Sequence, residues 1–461
     1  MTFHRLILCL TFLLGVFGPA HQIAAQPAAP DPTDETPHAV TYPGIDRLAV
    51  SDSVAGNLHG QTLRGTQTPL PRRTTVWQHT GRALLFLPYV AVEVVAWPLE
   101  QLVRFGERSE TTQNVIDFLD MHLRWGKFKV GLYLQLATDA GSPAPGIQAN
   151  MDGWAGSNSE LDLVAGYWNR NRNQLELELF AVPGRQQYDF MGHLNNRENQ
   201  PFYGVGPNTP NVEYSANRQR KLLEGTVGYR FGRALRVSLT GYYRDTDLSP
   251  PSRGLSVEEG FPEVYERTRN GRYLGVEGSA AFDTRDAVGL STSGSFVRLF
   301  GGYNFAQLSP DADYSHYALE LQQFINLYKH NRVLALRAYA GGIDTDDPLN
   351  LPYTELERTG GDPGMRGYAR NRFADRTQLV LTTEYRYRIS TYFLGDLFVD
   401  WGSVASEWKK MRLADISPSY GLALGFLQRR PVALQIAVSR EGWQVYFGFG
   451  TVFRTQSRRL R

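Results

Sequence analysis

Gly360-Gly361-Asp362-Pro363-Gly364-Met365-Arg366-Gly367-Tyr368 is a stretch in which four glycines surround one arginine. It lies in a connection spanning 343–372, about thirty residues and long enough to suggest a functional loop. Glycine tolerates tight and left-handed backbone, so the stretch can bend sharply while presenting Arg366. Two strand-like segments follow at once, and each places a carboxylate on its polar face, Glu384 and Asp400. The expectation is a loop that folds inward and delivers Arg366 to those acids.

What encloses the loop follows from the rest of the chain. Its 461 residues carry a formal net charge of +2, which gives no electrostatic case for nucleic acid. Gly 45, Tyr 24, Phe 24 and Trp 8 are high for a soluble protein, and the one cysteine is Cys9. Residues 1–25 resemble a secretory signal: His4 and Arg5, then the apolar run Leu6–Phe17, then Ala24-Ala25 as a cleavage site. A mature chain would then hold no thiol. The most apolar later segment, Ala83–Leu99, is interrupted by Pro88, Glu93 and Pro98 and does not suit a spanning helix. Residues 26–73 are proline-rich and without apolar period, as in a flexible periplasmic lead. Residues 74–125 suggest short amphipathic helices, one with Val115, Phe118, Leu119, His122 and Leu123 at helical spacing.

From about Gly126 the period becomes two. Gln378, Thr382, Glu384, Arg386 and Arg388 alternate with Leu379, Leu381, Tyr385 and Tyr387; Asp396 and Asp400 oppose Leu397, Val399 and Trp401. A soluble sandwich turns its apolar face to a core. Glutamate and arginine sharing the polar face suit a wet lumen behind a lipid-facing exterior. Strands are expected at 127–137, 146–154, 159–168, 173–182, 185–193, 214–231, 234–248, 272–283, 293–307, 314–327, 331–341, 377–389, 394–404, 419–428, 431–440 and 443–453. That describes an all-β fold, a sixteen-stranded antiparallel transmembrane β-barrel over 126–453, with a short helical N-terminal extension and a basic tail at 454–461. Parity agrees: short turns follow even strands on the periplasmic side, and the long 249–271 and 343–372 connections follow odd ones.

These residues together resemble the BamA/TamA-type superfamily of outer-membrane assembly and translocation barrels, the bacterial surface antigen family. Met365-Arg366-Gly367-Tyr368, after Gly360-Gly361, is similar to its loop motif. Glu384-Tyr385-Arg386 and Phe398-Val399-Asp400-Trp401-Gly402 are similar to its strand motifs. Asp283-Thr284-Arg285-Asp286 resembles a recurrent turn element, in which Asp283, Arg285 and Asp286 are the marked positions. Phe202-Tyr203-Gly204-Val205-Gly206 resembles a weaker one. The resemblance implies that the sixth outer loop enters the lumen with Arg366 bonded to strand acids, and that Glu384, Arg386 and Asp400 are its lumenal partners. It also implies a seam between first and last strands that opens laterally. Residues 26–125 offer no obvious polypeptide-transport-associated domain, so a short member without such domains is expected.

The function so implied is insertion, assembly or translocation of proteins at the Gram-negative outer membrane. The partners implied are outer-membrane lipids and unfolded outer-membrane proteins or accessory subunits. A passive channel gated by an in-folded loop is the alternative. No enzyme is expected. The histidines lack metal-ligand spacing, and Ser315-His316 are strand neighbours facing opposite sides. Asp344, Asp346 and Asp347 lack an EF-type frame. No catalytic residue, metal or cofactor is assigned.

Overall fold

The computed structural model describes His122–Phe449, apart from residues 126–127, 135–144, 288–289, 309–311, 329–331, 363, 390–392 and 427–431. The expected signal, the proline-rich lead, the helical segment as far as residue 121 and the basic tail lie outside the described residues.

The strands are β1 (His122–Trp125), β2 (Phe128–Leu134), β3 (Pro145–Asp152), β4 (Ser159–Asn169), β5 (Arg172–Ala181), β6 (Gln186–Phe202), β7 (Tyr214–Phe231) and β8 (Leu235–Ser249). After them come β9 (Leu255–Ser256), β10 (Asn270–Asp283), β11 (Gly294–Ala306), β12 (Tyr314–Tyr328), β13 (Arg332–Asp344), β14 (Glu357–Thr359) and β15 (Phe373–Asp375). The series ends with β16 (Thr377–Arg388), β17 (Phe393–Ala405), β18 (Ser417–Phe426), β19 (Val432–Ser439) and β20 (Gly442–Phe449).

Sixteen of these have seven residues or more and fall where the alternation places strands; β1, β9, β14 and β15 are short additions. The long strands form one antiparallel meander in chain order. β8 pairs with β10 and β13 pairs with β16, past the intervening short strands. Among the described residues, no ladder joins β20 to the opening strands.

Two expectations are corrected. His122 and Leu123, placed on a helical face, belong to a strand that pairs with Gly131 and Val130 of β2. His122-Leu123-Arg124-Trp125 also alternates, and the hairpin satisfies its backbone, which a lone helical turn could not. The strand expected to end at His193 continues to Phe202, across a register shift between Arg197 and Gln200. The connection after β8 is structured, with β9, α1 (Val257–Gly260) and α2 (Pro262–Thr268).

The wall is inside out. On β11, Val297 is 36% and Leu299 57% exposed, whereas Arg298 between them is 1% exposed. Leu239, Leu397, Leu422 and Ile436 repeat the exposed apolar pattern; Glu277, Glu320, Gln322, Arg337 and Gln378 are buried. In water this would expose a broad apolar belt while burying costly charges. In a bilayer the belt meets hydrocarbon and the charges line a polar interior.

Apolar packing is concentrated where the two long connections meet. Leu351, Tyr353 and Leu356 cluster with Val257, Tyr265, Tyr273 and Tyr314. The connection after β13 is therefore folded against the barrel's own elements.

Candidate functional site

The loop 345–376 is a closed unit before it touches the wall. β14 and β15 zip its two arms together. Between them Gly360 and Gly361 take φ of 110° and 81°, where a side chain would be strained. The Gly361 amide is shared between the carbonyls of Met365 and Tyr368, both at 3.1 Å. This turn pushes Met365, Arg366 and Tyr368 outward from the loop and into the lumenal face of the last strands.

Arg366 meets Asp400 of β17 as a bidentate pair, with Nε donating to Oδ2 at 2.9 Å and Nη2 to Oδ1 at 2.8 Å. The Arg366 amide also donates to Oδ2, at 3.1 Å. Thr382 of β16 donates to Asp400 at 3.0 Å and Ser419 of β18 at 3.4 Å. The guanidinium carbon lies 3.3 Å from the centre of the Phe398 ring, and Nη1 reaches Gln435 of β19 at 3.4 Å. Burial alone would lower the Arg366 pKa, but the Asp400 carboxylate and its hydrogen bonds raise it. The guanidinium therefore keeps its charge despite burial, and the bidentate geometry fixes the loop in one position.

Gly367 explains how close the loop comes. A Cβ there would lie 2.6 Å from Ser419 Cβ and 2.7 Å from the Val438 carbonyl oxygen. Met365 occupies the space left by Gly402, whose own Cβ would stand 2.5 Å from its sulfur. Tyr368 donates to the Pro418 carbonyl at 3.2 Å and accepts at its own carbonyl from Tyr446 of β20 at 3.2 Å. The clash at Gly367 is with backbone of the β18–β19 ladder, which cannot give without breaking pairs. Gly367→Ala is expected to expel the loop, seen as new protease cleavage within 345–376 while the barrel stays folded.

The remaining motif residues separate. Glu384 and Arg386 share the buried face of β16, with Arg386 Nε 3.7 Å from Glu384 Oε1. No hydrogen bond joins Glu384 to Arg366 among the described residues, so its expected partnership narrows to proximity. The register gives the reason: Thr382 stands beside Asp400, whereas Glu384 stands beside Phe398, one inward row further from the loop's entry. Asp283, Arg285 and Asp286 lie at the opposite end of the strands. Arg285 there binds Asp283 through Nε at 2.9 Å and Nη2 at 2.7 Å and stacks on Phe296; Asp286 accepts from the Thr292 amide at 2.9 Å. This is a turn lock, and it does not join the loop.

Other contacts had no motif to announce them. Arg372 grips Glu441, in the β19–β20 turn, through Nε at 2.7 Å and Nη2 at 2.9 Å. Its Nη1 reaches Thr209 Oγ1 at 2.8 Å. The Gly206 amide donates to the Ala374 carbonyl at 2.8 Å, so the Phe202–Gly206 element does meet the loop. Glu355 bonds Arg244 at 2.6 Å. Burial would raise the Glu355 pKa, but Arg244 and Arg220 hold it down to about 2.

Glu357 accepts from Tyr339 of β13 at 3.3 Å beside a polar cavity of about 330 Å³ that Arg298, Glu320 and Gln378 also line. Burial pushes its carboxyl from 4.5 up to about 7, against the opposing pull of Tyr339 and Arg358. A folded pKa above the unfolded one means that the associated stability is full below about 4.5 and lost as pH rises through about 7. Protection of the β14 and β15 amides, corrected for the intrinsic rise of exchange with pH, is expected to fall between about pH 4.5 and 7, and Glu357→Gln to remove that fall.

An inside-out antiparallel wall with an inward-folded, arginine-clasped loop defines a β-barrel of the outer-membrane type. The Omp85 superfamily domain matches residues 148–453, and the chain belongs to that superfamily. Among solved structures, BamA from Haemophilus ducreyi lacking POTRA domains 1-3 is similar at 12% identity and a TM-score of 0.55, covering 71% of this chain and 70% of that one. CdiB from Acinetobacter baumannii gives 12% identity and 0.47, covering 71% of this chain and 60% of that one. CdiB from Escherichia coli gives 9% and 0.47, covering 70% and 62%. No curated protein sequence matches.

Proposed function

We propose that this barrel inserts, assembles or translocates polypeptides at the outer membrane, without enzymatic chemistry of its own. Membership of the Omp85 superfamily supports the general activity. The observation that carries the reading further is where the loop is fastened. Arg366, Gly367, Tyr368 and Arg372 all engage β17–β20 or their turns, the strands that end the meander. A terminal strand with unpaired backbone groups can template an incoming strand by β-augmentation. A loop seated on that hairpin would hold it in place while it does so. The partners on this reading are unfolded outer-membrane polypeptides, accessory subunits and the surrounding outer-membrane lipids.

Depletion tests it. Levels of particular outer-membrane proteins should fall, and unfolded outer-membrane polypeptides should co-purify with the barrel. A passive channel would instead change solute uptake and leave the outer-membrane protein profile intact.

A further inference from the structure

The Arg366 clasp lies toward the outer end of the strands, and a different set of charges lines the opposite end. The Arg230 amide donates to the carbonyl of Arg185, just before β6, at 2.8 Å, one step past the Gln186–Tyr229 pair of the β6–β7 ladder. Arg230 in turn lies opposite Arg236 of β8. These arginines stand side by side across neighbouring strands, on the face opposite the exposed Tyr229 and Val237. Like charges facing each other across a ladder destabilise the pair. The hairpin between β7 and β8 adds Arg233, exposed at its tip. Asp283 is at the same level, because its amide donates to the Ala234 carbonyl at 2.8 Å. By strand parity this is the periplasmic mouth of the lumen.

Arg185, Arg230 and Arg233 have no ion pair among the described residues. The next inward row, Gln187, Gly228, Ser238 and Ser279, is neutral. Asp283 is taken by Arg285 in a bidentate grip. Hydrocarbon is on the far side of the wall, where Tyr229, Phe231 and Val237 are exposed, so this inward row is turned away from it.

The chain itself carries a complementary segment. Residues 26–46 include Asp31, Asp34, Glu35 and Asp46 and neither lysine nor arginine. Pro30, Pro32 and Pro37 favour polyproline II geometry, which repeats every three residues and would put Asp31 and Asp34 on one side, about 9 Å apart. The lip from β6 to β8 spans two strand spacings, about 10 Å. The whole of 47–121 separates this segment from β1, so reach is no constraint.

We propose that the acidic segment 26–46 docks on Arg185, Arg230 and Arg233 at the periplasmic mouth of its own barrel. The docking involves neither the last strands nor a client, so it stands or falls separately from the activity proposed above.

The test uses the full-length protein folded in detergent, and a companion in which Asp31→Asn, Asp34→Asn and Glu35→Gln silence its own segment. A labelled synthetic peptide of residues 26–46 is titrated into both and followed by fluorescence anisotropy. The silenced protein is expected to bind the peptide saturably and about ten-fold more tightly than the parent, whose tethered segment competes. A peptide with the same three substitutions should bind the silenced protein about ten-fold more weakly than the native peptide. Adding Arg230→Gln to the silenced protein should weaken the native peptide about three-fold, and Arg233→Gln at the exposed tip should act alike. Equal affinity of the parent and silenced proteins, or of the two peptides, overturns the docking. So does binding that persists in phosphatidylcholine nanodiscs but is lost when phosphatidylglycerol is added, since the arginines then belong to anionic lipid.

Discussion

Arg366→Ala is expected to free the loop from the wall and to lower the temperature at which the folded barrel keeps its compact electrophoretic migration. Removing one member of a buried ion pair costs about 3–5 kcal/mol, because the other charge stays behind unpaired. Here the remaining carboxylate keeps its bonds from Thr382 and Ser419, so the lower end of that range applies. Asp400→Ala should cost more, since it leaves the guanidinium with Phe398 and a 3.4 Å contact to Gln435. Unchanged migration and unchanged protease protection of 345–376 in both variants would show that the clasp does not hold the loop.

The second large effect is expected at the outer turn of the last hairpin. Arg372 is 2% exposed, and its guanidinium is shared between Glu441 and Thr209. Arg372→Ala removes both attachments, at a cost of about 3 kcal/mol by the same reasoning applied to a partly screened partner. Hydrogen exchange should rise in the first residues of β20 and in β15, while β10–β13 stay as protected as before. Exchange rising evenly through all strands would mean a general loss of stability rather than release of the hairpin. Glu441→Gln should reproduce the local pattern more weakly, because an amide can still accept from Arg372.

The wall was legible because burial alternates with the sequence. Along 378–387 Gln378, Thr382, Glu384 and Arg386 are buried while Leu379, Leu381, Tyr385 and Tyr387 turn outward; buried Val380 and outward Thr383 are the exceptions to polar-inside. The extension of β6 was hidden by Asn199, which sits at φ 46° inside a register shift and breaks the alternation just before Pro201. Glu384 and Asp400 both face inward, and spacing alone cannot rank them. The cross-strand register does, since it puts Asp400 nearer the loop's point of entry. Phe398 could have been anticipated as the floor under Arg366, two residues before Asp400 on the same face. The Arg372–Glu441 and Glu355–Arg244 pairs join segments 69 and 111 residues apart, and no local pattern marks such partners.

The loop leaves the wall after β13, yet the groups that receive it belong to β17, β18, β19 and β20. A nascent chain emerging from its amino end therefore exports the key well before the lock exists. Seating must be a closing event in biogenesis, after the carboxyl-terminal strands have found their neighbours. Until then Arg366 lacks its carboxylate partner, so the full set of loop contacts forms only once β17–β20 are in place.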